Sequence, residues 1–190
     1  MTPLLGIFAS ANTTVVTSYE SIATVSVGSG GAANVEFASI PGTYTHLQVR
    51  YIGRDNRSGT NSDDIYFRFN SDSTTANYNS HRLYGNGSSV SADRVTGYAG
   101  TLSAFVSAST ATASAFGGGV TDILDYANTN KYKTTRSIGG HDDNGSGFVS
   151  FISGLWLSTS AITTITIFPL NGTSFNQYSQ FALYGIKGPA

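Results

Sequence analysis

The sequence predicts an all-β chain, an antiparallel β-sandwich of jelly-roll-like type with an extended N-terminal arm. Three observations predict it. The hydrophobic period is 2 wherever it is clear, Gly- and Asn-rich turn signals recur at short intervals, and no segment carries a persuasive helical period. A length of 190 residues suits one sandwich with a sizeable core of its own. The reading divides the chain into an arm over 1–17 and a sandwich domain over 18–190.

In chain order, residues 1–17 lack a periodic pattern but hold the apolar cluster Leu4, Leu5, Ile7 and Phe8. Ala9-Ser10-Ala11 imitates a signal-peptidase site, yet no Lys or Arg precedes it and the apolar run is short, so the segment reads as a mature arm. A strand near Tyr19–Val27 is separated by Gly28-Ser29-Gly30-Gly31 from one in which Val35 and Phe37 alternate with Asn34 and Glu36. Ile40-Pro41-Gly42 closes that strand, because proline cannot extend a central ladder. Leu47, Val49 and Tyr51 then share one face, with His46, Gln48 and Arg50 on the other. Ile65, Phe67 and Phe69 alternate with Tyr66, Arg68 and Asn70. Asn86-Gly87, Asn144-Gly145 and Asn171-Gly172 each signal a tight turn, since both residue types tolerate positive φ. Ser103–Ala115 is rich in Ala, Ser and Thr and reads either as a closely packed small-residue strand or as a loop. Gly117-Gly118-Gly119 marks a break or bulge, and Thr121–Asn128 reads as strand and turn. The apolar run Phe148–Leu157 places Trp156 in the core. Ile165 and Ile167, then Phe181 and Leu183, supply the last alternating strands, giving about ten in all.

Composition narrows function. Only 11% of residues are charged and the net charge is −1, which gives no electrostatic basis for binding nucleic acid or an anionic membrane. No stretch approaches the roughly 18 apolar residues of a membrane helix. Eleven Tyr, eleven Phe and one Trp argue against disorder, because each buries a large apolar area. With no cysteine there is no disulfide framework, thiolate metal site or thiol nucleophile.

Each candidate for chemistry lacks a required partner. His141-Asp142-Asp143-Asn144-Gly145 has oxygen ligands for calcium but not the spaced series ending in Glu, and a solvated hairpin turn accounts for it. Asp63, Asp64 and Asp72 flank the Ile65–Phe69 strand. A glycosidase needs two carboxylates held across a bond, and loop solvation or turn capping explains these three better. His81 has no nucleophile elbow or metal-binding His pair to join. The expectation is therefore a non-enzymatic chain with no cofactor and no metal. The residues left to carry function are the arm and the Arg/Tyr-rich strand faces: Arg50, Arg54, Arg68, Tyr66, Arg82 and Tyr84. Tyr and Arg are enriched at protein interfaces. The competing explanation is a strand face whose Arg stems cover their neighbours while the heads stay wet.

Five stretches carry a resemblance that spans most of the chain. They are Ser18–Val25 (SYESIATV), Ser39–Leu47 (SIPGTYTHL), Asp122–Thr134 (DILDYANTNKYKT), Ser153–Trp156 (SGLW) and Phe181–Gly188 (FALYGIKG). In these the chain resembles bacteriophage structural proteins abundant among phages of cyanobacteria and other aquatic bacteria. The resemblance implies a virion component that decorates or cements the capsid, forms a homotrimer and binds the phage major capsid protein, after assembly in the host cytoplasm. It supplies no catalytic residues to transfer. The alternative within the same resemblance is a tail fibre or receptor-binding module for host-surface carbohydrate. A polysaccharide depolymerase ranks last, for want of a carboxylate pair.

Overall fold

A computed structural model describes residues 18–188; the predicted arm, with Leu4, Leu5, Ile7 and Phe8, lies outside the described residues. Twelve strands form two antiparallel sheets, with a single 3-10 turn at Thr75–Asn77 and no α-helix among the described residues. The strands are β1 (Tyr19–Ser26), β2 (Val35–Phe37), β3 (His46–Gly53), β4 (Ser62–Phe69), β5 (Tyr78–Gly85) and β6 (Val90–Thr96), followed by β7 (Thr101–Ser107), β8 (Gly117–Leu124), β9 (Lys133–Asp142), β10 (Gly147–Trp156), β11 (Ile165–Pro169) and β12 (Gln180–Ile186). The large sheet has the order β1-β12-β3-β8-β9-β10-β5-β6 and the small one β2-β11-β4-β7.

The core is built by the predicted alternation. Leu47, Val49 and Tyr51 of β3, Ile123 of β8 and Phe181 and Leu183 of β12 point inward from the large sheet. They meet Val35, Phe37, Ile65, Phe67, Phe69, Ile165 and Ile167 from the small one. Trp156 is buried at the end of β10. It stacks on Tyr78 with ring centroids 6.4 Å apart and donates from Nε1 to Asp72 at 2.8 Å. Such interdigitation of two inner faces is what holds a sandwich together.

The large sheet is twice as wide as the small one, and it curls around the β7 edge. β7 packs on β8, β9 and β10 and is buried at every position. Small residues make that close approach possible, so Ser103–Ala115 resolves into both readings: a strand through Ser107, then a loop. Gly117–Gly119 opens β8 rather than breaking the chain, because Val106 crosses so close to Gly117 that a side chain there would collide with it.

Two turn expectations hold and one does not. Asn144 and Gly145 both take positive φ, 54° and 99°, at the β9–β10 hairpin, and Gly87 takes 86° between β5 and β6. Asn171-Gly172 joins no hairpin. It sits in the β11–β12 connection, and its backbone N–H groups donate to the Asp63 carboxylate at 2.9 and 2.8 Å. Asp63 and Asp64 likewise lie inside β4, not in a solvated loop beside it.

Candidate functional site

A sheet with one face on the core and one in water should alternate apolar and polar side chains. The large sheet breaks this rule in its middle. Ladder registers put Ala182, Arg50, Val120, Ile138, Phe151, Leu83 and Ala92 in one row across its outer face. The neighbouring row toward the β9–β10 hairpin reads Gln180, Ile52, Gly118, Gly140, Val149, Gly85 and Val90. Ile52, Leu83, Val90, Ile138, Val149 and Phe151 are each between 47% and 75% exposed.

The row on the other side is polar: Tyr184, Gln48, Asp122, Arg136, Ser153, His81 and Arg94. It is internally wired. Arg50 Nε donates to Gln48 Oε1 at 2.6 Å, Gln48 Nε2 to Asp122 Oδ1 at 2.7 Å, and Arg136 Nη1 to Ser153 Oγ at 2.9 Å. Across the three rows stand three arginines and one aspartate, a local excess of positive charge on a chain whose net charge is −1.

The face carries shallow, open depressions. A cleft of about 870 Å³ runs over Leu83, Ala92, Val120, Ile138 and Phe151 with His81, Arg94, Asp122 and Arg136 at its rim. A second of about 470 Å³ continues it past Val120 and Ile138 to Ile52 and Tyr184. Glycines deepen the centre. Gly118 pairs with Gly140 in the outer row, so no side chain fills the floor there, whereas the neighbouring Gly119 and Gly139 face inward and make room for Tyr51 and Ala104. At Gly140 the Phe148 carbonyl lies where a Cβ would stand.

Of the six Arg and Tyr residues put forward as partner-binding strand faces, only Arg50 lies on this face, exposed and over the rings of Tyr184 and Tyr19. The others are engaged inside the chain. Arg54 donates to the carbonyls of Ser109, Ala111, Thr112 and Ala115 and so organises the loop after β7. Arg68 donates to Ala99 O and covers Phe168. Arg82 lies between the sheets, paired with Asp64 at 3.2 Å and Asp93 at 2.7 Å, with Tyr84 and Phe105 stacked on it. Tyr66 is buried with Leu102 and Ile152.

Buried carboxylates make the second cluster. Asp63 accepts from Arg57 Nη1, Asn171 Nδ2 and three backbone N–H groups. Burial raises its pKa, but bonds from Asp55, Asn171 and Gly172 outweigh that and hold it below the usual carboxylate range. Asp55, fully buried, is pushed up to about 8 by burial and then by its bond to Asp63. Its Oδ2 has no other partner, so a proton on Asp55 that bridges to Asp63 satisfies both acids. Gly172 closes over this Oδ2 with no room for a side chain. The pair is sealed from solvent and clasps the β3–β4 and β11–β12 connections together. His141 is also buried, with neither ring nitrogen partnered, and burial lowers its pKa. Among the described residues no three His, Cys, Asp or Glu side chains gather as a metal site.

What the sequence reading missed is the outer face. Its signal lies in β10, where Phe148, Val149, Phe151, Ile152, Leu155 and Trp156 occupy both parities. That pattern marks a strand apolar on both sides. Compared with known proteins, the chain matches no family model, no curated protein and no solved structure.

Proposed function

We propose that this chain is a non-enzymatic structural subunit that docks on protein partners through the outer face of its large sheet. The setting we propose is a bacteriophage capsid, which the chain decorates and cements by binding the major capsid protein and other copies of itself. The observation that carries the docking reading is the double apolar row centred on Ile138 and Phe151, rimmed by arginines. Contiguous exposed apolar surface of this kind marks an interaction site, and an apolar centre with an Arg-rich rim matches the anatomy of protein interfaces. The capsid setting is supported by the sequence resemblance. Many modest contacts repeated by lattice symmetry give avidity without high affinity at each one.

The test is co-sedimentation of the purified chain with heads built from the candidate phage's major capsid protein. The wild type binds saturably at lattice stoichiometry. The Ile138→Asp/Phe151→Glu variant keeps its melting temperature and binds at least about tenfold more weakly, as expected for centre-of-interface residues. Equal binding by the two proteins, or none by the wild type, overturns the proposal.

A second reading has one observation in its favour. Phe151 stands beside Ser153, His81, Arg136 and Asp122 in the same cleft, an apolar ring next to hydrogen-bonding groups as a sugar site requires. Saturable binding of host-surface polysaccharide, abolished by Phe151→Ala, would establish that tail-module role instead.

A further inference from the structure

The outer face needs an occupant, and the chain carries a segment that matches it. The apolar row from Arg50 to Leu83 crosses five adjacent strands, β3, β8, β9, β10 and β5. At about 4.8 Å per strand it spans roughly 19 Å. The segment Leu4–Phe8, four steps of about 3.4 Å, spans roughly 14 Å when extended and fits within that length. Residues 1–17 contain no charged side chain, and the floor of the cleft presents none between Val120 and Leu83.

The point where the described chain begins says whose cleft the segment reaches. β1 is the edge strand and starts at Tyr19, at the end of the sheet that carries Leu124, Lys133 and Trp156. It runs from there toward the apolar rows, so the described chain begins at the end of the sheet away from them. Residues 9–18 contain neither Gly nor Pro, and 13–17 are Thr-Thr-Val-Val-Thr, five β-branched residues in succession. Such residues favour extended backbone and resist the reversal that the chain's own cleft would demand. Leu4–Phe8 lie ten to fourteen residues before Ser18, a reach of roughly 33–50 Å from that corner.

We infer that the outer-face cleft of one copy receives the Leu4–Phe8 segment of a second copy. The inference rests on the reading of this face as a docking face and names the partner in self-assembly. Each copy gives one arm and receives one, a heterologous contact that closes into a ring when the rotation between copies allows.

The absence of cysteine makes the test clean, since Ser10→Cys creates a unique thiol for a nitroxide label in the full chain. Labelled chains without isotope are mixed with isotope-enriched, unlabelled chains. The amide signals of Val120, Ile138, Phe151 and Leu83 in the enriched copies broaden, and broadening is lost when the labelled chains also carry Ile7→Asp/Phe8→Asp. Broadening confined to molecules holding both label and isotope overturns the second-copy assignment. No broadening on this face overturns arm docking altogether. If that happens while the Ile138→Asp/Phe151→Glu variant still fails to bind heads, the docking face stands and only its occupant is wrong.

Discussion

The two faces of the large sheet come from the same strands, yet they obey different rules. The inner face, with Leu47, Val49, Ile123 and Trp156, is closed by the small sheet to almost zero exposure. The outer face, one residue out of step along the same strands, carries Ile52, Ile138 and Phe151 about half exposed. Apolar character alone therefore does not mark the core. Closure by a second layer does, and a sheet apolar on both faces with one layer supplied leaves one apolar face uncovered.

The comparison is broken most forcefully from the inner side. Trp156→Ala removes a buried ring from between Tyr78 and Phe69 and leaves Asp72 without its donor. It is expected to cost about 3–5 kcal/mol in urea denaturation followed by far-UV circular dichroism. A cost below about 1 kcal/mol would show that the inner face is not packed as described.

The clasp between the sheets gives a pH-dependent contrast. Asp55 has a folded pKa near 8, above its unfolded value, so the folded state holds the extra proton. The stability it contributes is present below about pH 4 and is lost as pH rises toward 8. Asp55→Asn removes this loss and makes the variant more stable than wild type at pH 9, by an amount of order a few kcal/mol. Identical pH profiles for the two proteins would contradict the proton-sharing pair. His141 acts with the opposite sign. Its folded pKa is depressed, so its contribution is present above about pH 6.5 and falls as acid protonates the unfolded chain. His141→Phe should flatten the acid limb of the melting-temperature profile; an unchanged limb would exclude the residue.

The smallest effect on stability sharpens the comparison most. Phe151→Ala on the outer face should change unfolding free energy by no more than about 0.5 kcal/mol, as exposed substitutions do. A loss comparable to Trp156→Ala would mean that Phe151 belongs to the fold and not to a docking surface.

Much of the fold was legible because period-2 alternation needs only neighbours in sequence: Leu47, Val49, Tyr51, Phe67 and Phe181 all face inward as their spacing demands. Residues whose place depends on distant chain were not legible. Asp63 is tolerable inside β4 only because Asn171, Gly172 and Arg57 converge on it. Arg54 is consumed by a loop that starts more than fifty residues later. Strand order, and with it the alignment of Ile138, Phe151 and Leu83 in one row, is a property of pairing between strands that no single strand encodes. The run Phe148–Leu157 places Trp156 in the core, where it lies, but the other parity of that run, with Val149 and Phe151, faces outward and is about half exposed.

The central claim, that the outer face is covered in the assembled state, is tested most directly by hydroxyl-radical footprinting of the side chains. Free and assembled protein are oxidised in parallel and the modification of individual residues is read by mass spectrometry. Phe151, Leu83 and Ile138 should label readily in the free chain and be protected on assembly, while Tyr132 and Tyr178, exposed but not on this face, stay labelled in both. Phe151 and Ile138 labelled equally in the two states would contradict the account.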